Sequence, residues 1–257
     1  MCEIYAYSGE VNKTFNDELR EFFSHSGEHP NGWGLAVEEN GRMNLEKEAV
    51  QASESRYLRE RLRQHLEGTA ALAHIRYATI GSVKHANCHP FMGKDRSGRW
   101  WTLVHNGTIF DYAPMDHYTR VQTGSTDSER ILLYLIDIMN AAAEEKGRVL
   151  TARERFELLD SVFALMSKNN KLNIVLYDGE LLYVHVNAPD SLFVRQGEKQ
   201  VTFSTQPLTK GRWKPAPFTQ LAAWRKGEKA FEGAVHGNVY VPDEKAISLL
   251  YLAYSQL

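Results

Sequence analysis

Two long helix patterns in the middle of the chain, with short strand patterns on both sides, are the feature that most constrains its fold. The first helix pattern begins near Thr126 and the second covers about 152–167. In both, apolar residues recur every three or four positions, which forms the buried stripe of an amphipathic helix. Strands, then helices, then strands again are typical of layered α+β proteins with antiparallel sheets. No repeat or linker divides the chain, so we expect one domain over 1–257.

Shorter signals predict the remaining elements. Before the two long helices they are a strand over 2–8, a helix over about 16–27 capped by Asn16 or Asp17, a hairpin over 34–45 that turns at Asn40 and Gly41, a helix over about 53–68, and strands over 70–77 and 99–104. After the two long helices they are four short strands between 172 and 204 and an apolar segment over 247–254. Thr126 and Glu129 have the spacing of a capping box. The stretch 210–229 is rich in Lys and Arg and predicts a solvated loop.

Charge balance and cysteine content argue against several classes of protein. The 257 residues contain 30 Lys and Arg against 32 Asp and Glu, which does not fit a nucleic-acid binder that relies on an overall basic field. No apolar run approaches the roughly 18 residues of a membrane span, and the N-terminus lacks a secretory signal pattern. Cys2 and Cys88 are the only cysteines, as is typical of a reducing compartment. We therefore expect a cytoplasmic protein without nucleic-acid or membrane partners.

The position of Cys2 is chemically informative. If Met1 is removed, which small second residues generally permit, Cys2 carries both a thiol and a free α-amine. The amine has a reference pKa of about 7.7 to 8.0, which suits a general base near neutrality. One residue then supplies nucleophile and base, as in N-terminal nucleophile enzymes. The alternative is an ordinary cysteine that begins a strand.

Three further groups have the chemistry to bind or activate a substrate. Arg76 follows a strand and precedes Thr79, and an arginine beside a hydroxyl can bind a carboxylate through two parallel hydrogen bonds. The Asn106 side-chain amide and the N–H of Gly107 can converge on a developing oxyanion, although Asn-Gly is equally a turn signal. Asp127 lies in the first turn of a helix, where it either interacts with the helix dipole or receives a substrate ammonium group.

The order of these groups along the chain resembles that of the class II glutamine amidotransferases, N-terminal nucleophile hydrolases whose nucleophile is an N-terminal cysteine. Five motifs carry the resemblance: Cys2 after the initiator methionine, 74–79, 87–91, 105–107 and 126–129. It continues through 172–179 and 204–208, and residues 31–34 are similar to the compact stand-alone members. The family fold implied is a four-layer αββα sandwich, with two antiparallel sheets between helical layers.

The resemblance also implies a role for each group. Cys2 would attack the γ-carboxamide of the substrate as a thiolate and form a γ-glutamyl thioester, which water then hydrolyses. The remaining residues would bind the substrate: Asn106 and Gly107 the oxyanion, Arg76 and Thr79 the α-carboxylate, and Asp127 the α-ammonium group. Such a site recognises the glutamyl group and does not constrain the substituent on the amide nitrogen.

Two functional alternatives follow from the sequence. The first is an amidohydrolase that acts on glutamine or on a γ-glutamyl amide or peptide. It would act alone or as a glutaminase subunit; because the amidotransferase motifs take up the whole chain, such a subunit would supply ammonia to a separate synthetase. The second is a catalytically silent ligand-binding module, which applies if Met1 is retained and Cys2 has no free amine. We expect no cofactor and no metal, since the run around Cys88 and His89 lacks the separated ligand pairs of common zinc sites.

Overall fold

The computed structural model describes residues 2–78 and 81–242. The strands in these ranges are, in chain order, β1 (Glu3–Thr14), β2 (Trp33–Glu39), β3 (Arg42–Glu48), β4 (Glu67–Ile75), β5 (Phe91–Lys94), β6 (Trp100–His105), β7 (Ile174–Tyr177), β8 (Leu182–His185), β9 (Phe193–Gly197), β10 (Gln200–Ser204), β11 (Lys214–Pro215), β12 (Leu221–Arg225) and β13 (Glu228–Glu232). The α-helices are α1 (Asn16–Ser24), α2 (Arg56–Arg61), α3 (Asp127–Lys146) and α4 (Ala152–Met166).

The strands form two antiparallel sheets. The first has the order β11-β9-β10-β1-β4-β2-β3, and the second has the order β13-β12-β8-β7-β6-β5. Successive residues of a strand point to opposite faces of its sheet, and both faces of β1 are buried over its first seven residues. The central strands are therefore covered on both sides.

Three apolar clusters show the order of the layers. Tyr5 packs with residues of α1 and α2 on the outer face of the first sheet. Ile4, its neighbour on the opposite face, packs with Val104 of the second sheet. Leu103 faces the other way, toward α3 and α4. The layers are thus helix, sheet, sheet and helix, which confirms the predicted αββα sandwich.

Strand pairing brings four chain segments to one end of the sandwich. Glu3 of β1 lies opposite Ile75 of β4, and His105 of β6 lies opposite Ile174 of β7. Between the two sheets, the Nε2 atom of His74 is 3.2 Å from the carbonyl oxygen of His105. The start of β1, the ends of β4 and β6, and the start of β7 therefore meet. The predicted site residues within the described ranges belong to these segments or to loops and helix ends beside them.

The helix predicted over about 53–68 is wrong in its second half, because α2 ends at Arg61. The side-chain amide of Asn16 donates to the carbonyl oxygens of Leu62 and Gln64, at 2.9 and 2.7 Å. Its oxygen accepts from the backbone N–H of Leu66 at 3.0 Å. Asn16 thus holds the turn into β4 and does not cap α1, a role that the sequence analysis also assigned incorrectly.

The capping box predicted at the start of α3 is only half formed. Thr126 Oγ1 accepts from the N–H of Glu129 at 3.2 Å, but the Glu129 carboxylate accepts from the N–H groups of 123–124 and not from that of Thr126. The complete box lies at the start of α4, where Thr151 and Glu154 bind each other reciprocally.

The solvated loop predicted over 210–229 is also wrong, since this stretch contains β11, β12 and the start of β13. Trp224 is 2% exposed and packs edge-on against Phe203, with ring centroids 4.8 Å apart. The first four residues of β12 are all buried, so this strand is covered on both faces. The apolar segment predicted over 247–254 lies outside the described residues. Within the described ranges, no helix has the length and apolar character needed to cross a membrane.

Candidate active site

Cys2 lies immediately before β1, and the backbone of Tyr77 holds its thiol. The Tyr77 N–H donates to Cys2 Sγ at 3.2 Å, and Sγ donates to the Tyr77 carbonyl oxygen at 3.3 Å. Burial raises the pKa of the Cys2 thiol, whereas the Tyr77 N–H and the positive charges of Arg76 and Lys171 act to lower it. Burial is the larger effect, so the pKa of the Cys2 thiol lies above its ordinary value, and the neighbouring cations reduce that rise.

Arg76 follows β4 and is 2% exposed. Its guanidinium donates to the carbonyl oxygens of Ser82 at 3.1 Å and Gly81 at 2.9 Å, so it holds the loop after the strand. Burial lowers the pKa of Arg76, and the charges of Cys88, Cys2 and Asp127 oppose this shift. Arg76 therefore lies within electrostatic reach of both the thiol and the carboxylate that were predicted beside it. Thr79, its predicted partner, lies outside the described residues.

Asn106 and Gly107 continue from the end of β6 and pair with the segment before β7. The Asn106 N–H donates to the Asn173 carbonyl at 2.8 Å, and Thr108 and Lys171 exchange two backbone hydrogen bonds of 3.0 and 3.1 Å. A Cβ on Gly107 would lie 1.9 Å from the Lys171 carbonyl oxygen. The absence of a side chain at 107 is therefore required by packing within the protein.

Asp127 is the first residue of α3 and is buried. Its Oδ2 accepts from the N–H of Ile109 at 2.8 Å, and its Oδ1 accepts from the N–H of Ser128 at 2.9 Å. These donors fix the carboxylate beside the segment that follows Gly107. An ionised carboxylate offers about four acceptor positions, so the two backbone bonds leave capacity for an ammonium group.

His105 links the two halves of this arrangement. Its Nε2 lies 3.2 Å from the Lys171 carbonyl oxygen and its Nδ1 lies 3.0 Å from Ser128 Oγ. The carbonyl can only accept, so Nε2 carries the hydrogen and Nδ1 accepts from the hydroxyl. Burial lowers the pKa of His105, which favours this neutral form. The imidazole is therefore a fixed structural connection between β6, α3 and the chain before β7.

Lys171 is a candidate site residue that lies outside the sequence motifs. It is 6% exposed, and its Nζ lies 3.4 Å from Asn106 Oδ1. Burial lowers the pKa of Lys171 to about 8, while the neighbouring Cys2 acts to raise it. The only signal in the sequence was a lysine immediately before the strand predicted to begin at 172, where an apolar residue is usual.

A group of asparagines fixes the backbone on either side of Lys171. Asn187 Oδ1 accepts from the N–H of Leu172 at 2.8 Å, and its Nδ2 donates to the carbonyl of Asn170 at 2.8 Å. Asn173 Oδ1 accepts from the N–H of Asn187 at 3.1 Å. Because these amides are buried and paired, the segment 170–173 is held rigidly behind Asn106 and Gly107.

Cys88 and His89 do not form a second thiol–imidazole pair. Cys88 Sγ donates to the carbonyl oxygens of Glu48 and Lys84, at 3.3 and 3.5 Å. The His89 ring instead packs on the rings of His74 and Phe91. Over the described ranges, no cluster of three or more His, Cys, Asp or Glu side chains is arranged to hold a metal ion.

Comparison with known proteins gives one family. The family model described as class-II glutamine amidotransferases matches residues 1–197. An uncharacterized protein of Methanocaldococcus jannaschii is 27% identical over 263 residues, which cover 90% of this chain and 71% of that protein.

Solved structures show the same fold. A predicted glutamine amidotransferase from Pseudomonas aeruginosa superposes with a TM-score of 0.64 at 22% identity, over 89% of this chain and 99% of that one. Glutamine phosphoribosylpyrophosphate amidotransferase from B. subtilis superposes with a TM-score of 0.64 at 14% identity, over 89% of this chain but only 48% of that one. The shared part is thus nearly all of the first protein and half of the second.

Proposed function

The chain belongs to the class II glutamine amidotransferases, and on that premise we propose that it hydrolyses the γ-amide of glutamine or of a γ-glutamyl amide or peptide through a thioester on Cys2. Membership in this family makes the chain an enzyme that hydrolyses carbon–nitrogen bonds, with release of ammonia from glutamine. The thioester, the substrate range and the residue roles that follow belong to the proposal.

The observation that carries the proposal is the setting of the Cys2 thiol. The sulfur is half-buried at one end of the sandwich, accepts a hydrogen bond from the Tyr77 N–H, and lies in the field of Arg76 and Lys171. A thiolate is the reactive form of cysteine, and cationic neighbours favour it. The nearby Asn106 and Gly107 sit on a rigid segment that would hold an oxyanion.

In the proposed reaction, Cys2 Sγ bonds to the γ-carbonyl carbon and its proton passes through the α-amine of Cys2 to the leaving nitrogen. The carbon–nitrogen bond breaks, which releases ammonia or an amine and leaves the γ-glutamyl thioester. Water then adds to the thioester carbon, and the carbon–sulfur bond breaks to give the γ-carboxylate and the thiol. This sequence requires that Met1 be removed, because an amide nitrogen at Cys2 cannot accept the proton.

Binding of the glutamyl group would use the two fixed charges of the site. The Arg76 guanidinium, with Thr79 beside it in sequence, would bind the α-carboxylate, and Asp127 would bind the α-ammonium group. Binding of both the α-carboxylate and the α-ammonium group gives specificity for the glutamyl moiety. It does not constrain the substituent on the γ-nitrogen. This is why the proposal includes γ-glutamyl amides and peptides as well as glutamine.

The main test is the release of glutamate from a panel of γ-glutamyl compounds by protein whose intact mass shows that Met1 is absent. Cys2→Ala should abolish turnover, whereas Cys88→Ala, at the other cysteine, should retain it. A glutamine-mimicking electrophile should label Cys2 and leave Cys88 unmodified. Full turnover in the Cys2→Ala variant would refute the thioester mechanism.

The same panel separates the two proposed uses of the reaction. Efficient hydrolysis of γ-glutamyl peptides by the purified chain alone would support a small-molecule hydrolase. Activity confined to glutamine and increased by a synthetase present in the same reaction would support transfer of ammonia to a partner. A processed chain that hydrolyses no member of the panel would contradict the proposed function and favour a ligand-binding module.

A further inference from the structure

We propose that Lys171 is a positioning residue of the proposed hydrolase: it orients the side-chain amide of Asn106 and places a positive charge beside the Cys2 thiolate. The inference rests on the proposed function, because its purpose is to prepare the oxyanion site and the nucleophile together. It concerns a residue outside the motifs that carry the family resemblance.

The backbone of Lys171 is fixed from two sides. Its N–H donates to the Thr108 carbonyl at 3.1 Å, and its carbonyl accepts from the N–H of Thr108 at 3.0 Å. The same carbonyl lies 3.2 Å from His105 Nε2. The lysine Cα therefore has a set position relative to Asn106, which is between these two partners in sequence.

The side chain of Lys171 then determines which way the Asn106 amide faces. An asparagine amide has an acceptor end and a donor end of nearly equal size, and its orientation depends on the groups around it. An ammonium group has three donors and no acceptor, and Lys171 Nζ lies 3.4 Å from Asn106 Oδ1. The pairing selects the orientation in which Asn106 Nδ2, the donor needed for an oxyanion, points away from Lys171.

The charge of Lys171 also acts on the nucleophile. Lys171 is among the cations that lower the pKa of Cys2 against the effect of burial, and Cys2 reciprocally raises the pKa of Lys171. With its pKa near 8, the lysine is mainly protonated at neutral pH. Its side chain is buried, so solvent screens this charge less than it screens a charge on the surface.

A buried lysine is a specific choice at this position. Burial of an ammonium group costs free energy, and an apolar residue before a buried strand would avoid this cost. The charge is retained beside two residues proposed to act on the substrate, and perturbed pKa values of this kind concentrate at functional sites. Methionine has a similar length but neither charge nor donor, so Lys171→Met removes both features together.

The test compares Lys171→Met and Lys171→Gln with Lys168→Met, an exposed lysine three residues earlier. For both Lys171 variants we expect kcat/KM for glutamate release to fall about tenfold or more, mostly in kcat, since oxyanion donors act in the transition state. Alkylation of Cys2 by iodoacetamide at neutral pH should slow as its pKa rises. Circular dichroism and urea unfolding report whether each variant is folded, and Lys168→Met should match the unsubstituted chain throughout.

A double-mutant cycle with Asn106→Ala tests the connection between the two residues. If Lys171 acts through Asn106, the loss caused by Asn106→Ala should be smaller in the Lys171→Met background than in the unsubstituted chain. Unchanged turnover and alkylation in folded Lys171 variants would overturn the proposal, as would fully additive losses together with unchanged alkylation. If the unsubstituted chain hydrolyses no γ-glutamyl compound, the proposed function fails, and the alkylation rates still test Lys171.

Discussion

Substitution of Gly107 by alanine should disrupt the pairing of the segment after β6 with the segment before β7 at the candidate site. The new Cβ would lie 1.9 Å from the Lys171 carbonyl oxygen and 2.3 Å from His105 Nε2. Both atoms belong to buried, fixed groups, so the backbone must move by about 1 Å to restore a normal contact. That carbonyl accepts from the N–H of Thr108 and lies within hydrogen-bond distance of His105.

The size of the effect follows from these contacts. Overpacking of a rigid site costs about 1–3 kcal/mol, and each buried hydrogen-bonding group left unpaired costs about 1–3 kcal/mol more. We therefore expect Gly107→Ala to lower the free energy of unfolding by about 3 kcal/mol or more. Glutamate release should also fall in the variant that remains folded, since Asn106 moves with the same segment.

Urea unfolding followed by circular dichroism measures this difference, and Gly27→Ala is the matched control. No atom lies within 4 Å of a Cβ built on Gly27, so this variant should unfold within about 0.5 kcal/mol of the unsubstituted chain. A Gly107→Ala protein with the stability of the Gly27→Ala protein would refute the packing explanation for the glycine.

Three further predictions test other parts of the structure. Asp178→Ala should lower the free energy of unfolding by about 3–5 kcal/mol, measured in urea, because it removes the fully buried carboxylate 2.7 Å from Arg155 and leaves that buried guanidinium with only the partly exposed Glu180; a loss below 1 kcal/mol would contradict this. Burial lowers the pKa of His185 to about 3, below its unfolded value of about 6.5. Protons therefore bind the unfolded state first, and the free energy of unfolding should decrease as the pH falls from about 6.5 toward 3. His185→Gln should make that decrease shallower, and an unchanged slope would exclude His185 as a cause. Trp224→Ala should destabilise the protein by about 3–5 kcal/mol in the same unfolding assay. The control Trp100→Ala, at a half-exposed tryptophan, should cost far less. Equal effects of the two substitutions would argue against burial of β12.

The strands and helices with strong periodic patterns could be predicted from the sequence. The stripes of α3 and α4 and the short, mainly apolar runs of β7 and β8 appear in the local sequence because each of these helices buries one defined face and each of these strands lies wholly inside. The end of α2 could not be predicted in this way. Leu66 continues an apolar spacing that begins at Leu58, yet the distant amide of Asn16 binds the chain in this region and turns it into β4.

Strand β1 shows a similar limit. We predicted that it would end at Gly9, but β1 continues to Thr14, and its pairing with β4 resumes at Lys13 after a shift in register. A glycine in a strand often marks such an irregularity. Whether the strand ends or continues there depends on a partner strand that lies more than fifty residues away in sequence, and the local composition carries no record of that partner.

The candidate site was partly predictable for a different reason. Cys2, Arg76, Asn106 and Asp127 occupy motifs whose order resembles a known family, and the structure brings the segments that carry them to one end of the sandwich. Their catalytic and binding roles remain predictions, as does the extent of the domain over 1–257. Lys171 belongs to no motif, and only its contact with Asn106 draws attention to it.

The sequence by itself determined the fold class, the family and the identity of the proposed nucleophile, because periodicity, motif order and chain position are properties of the linear chain. The tertiary structure alone decided why Gly107 must be glycine and that the buried Lys171 contacts Asn106. Both depend on the approach of residues 105–108 to 170–173, some sixty residues apart in the chain. Distances of 2 to 4 Å between such segments are set by the pairing of β6 with β7, which are distant in sequence, and no local pattern encodes them.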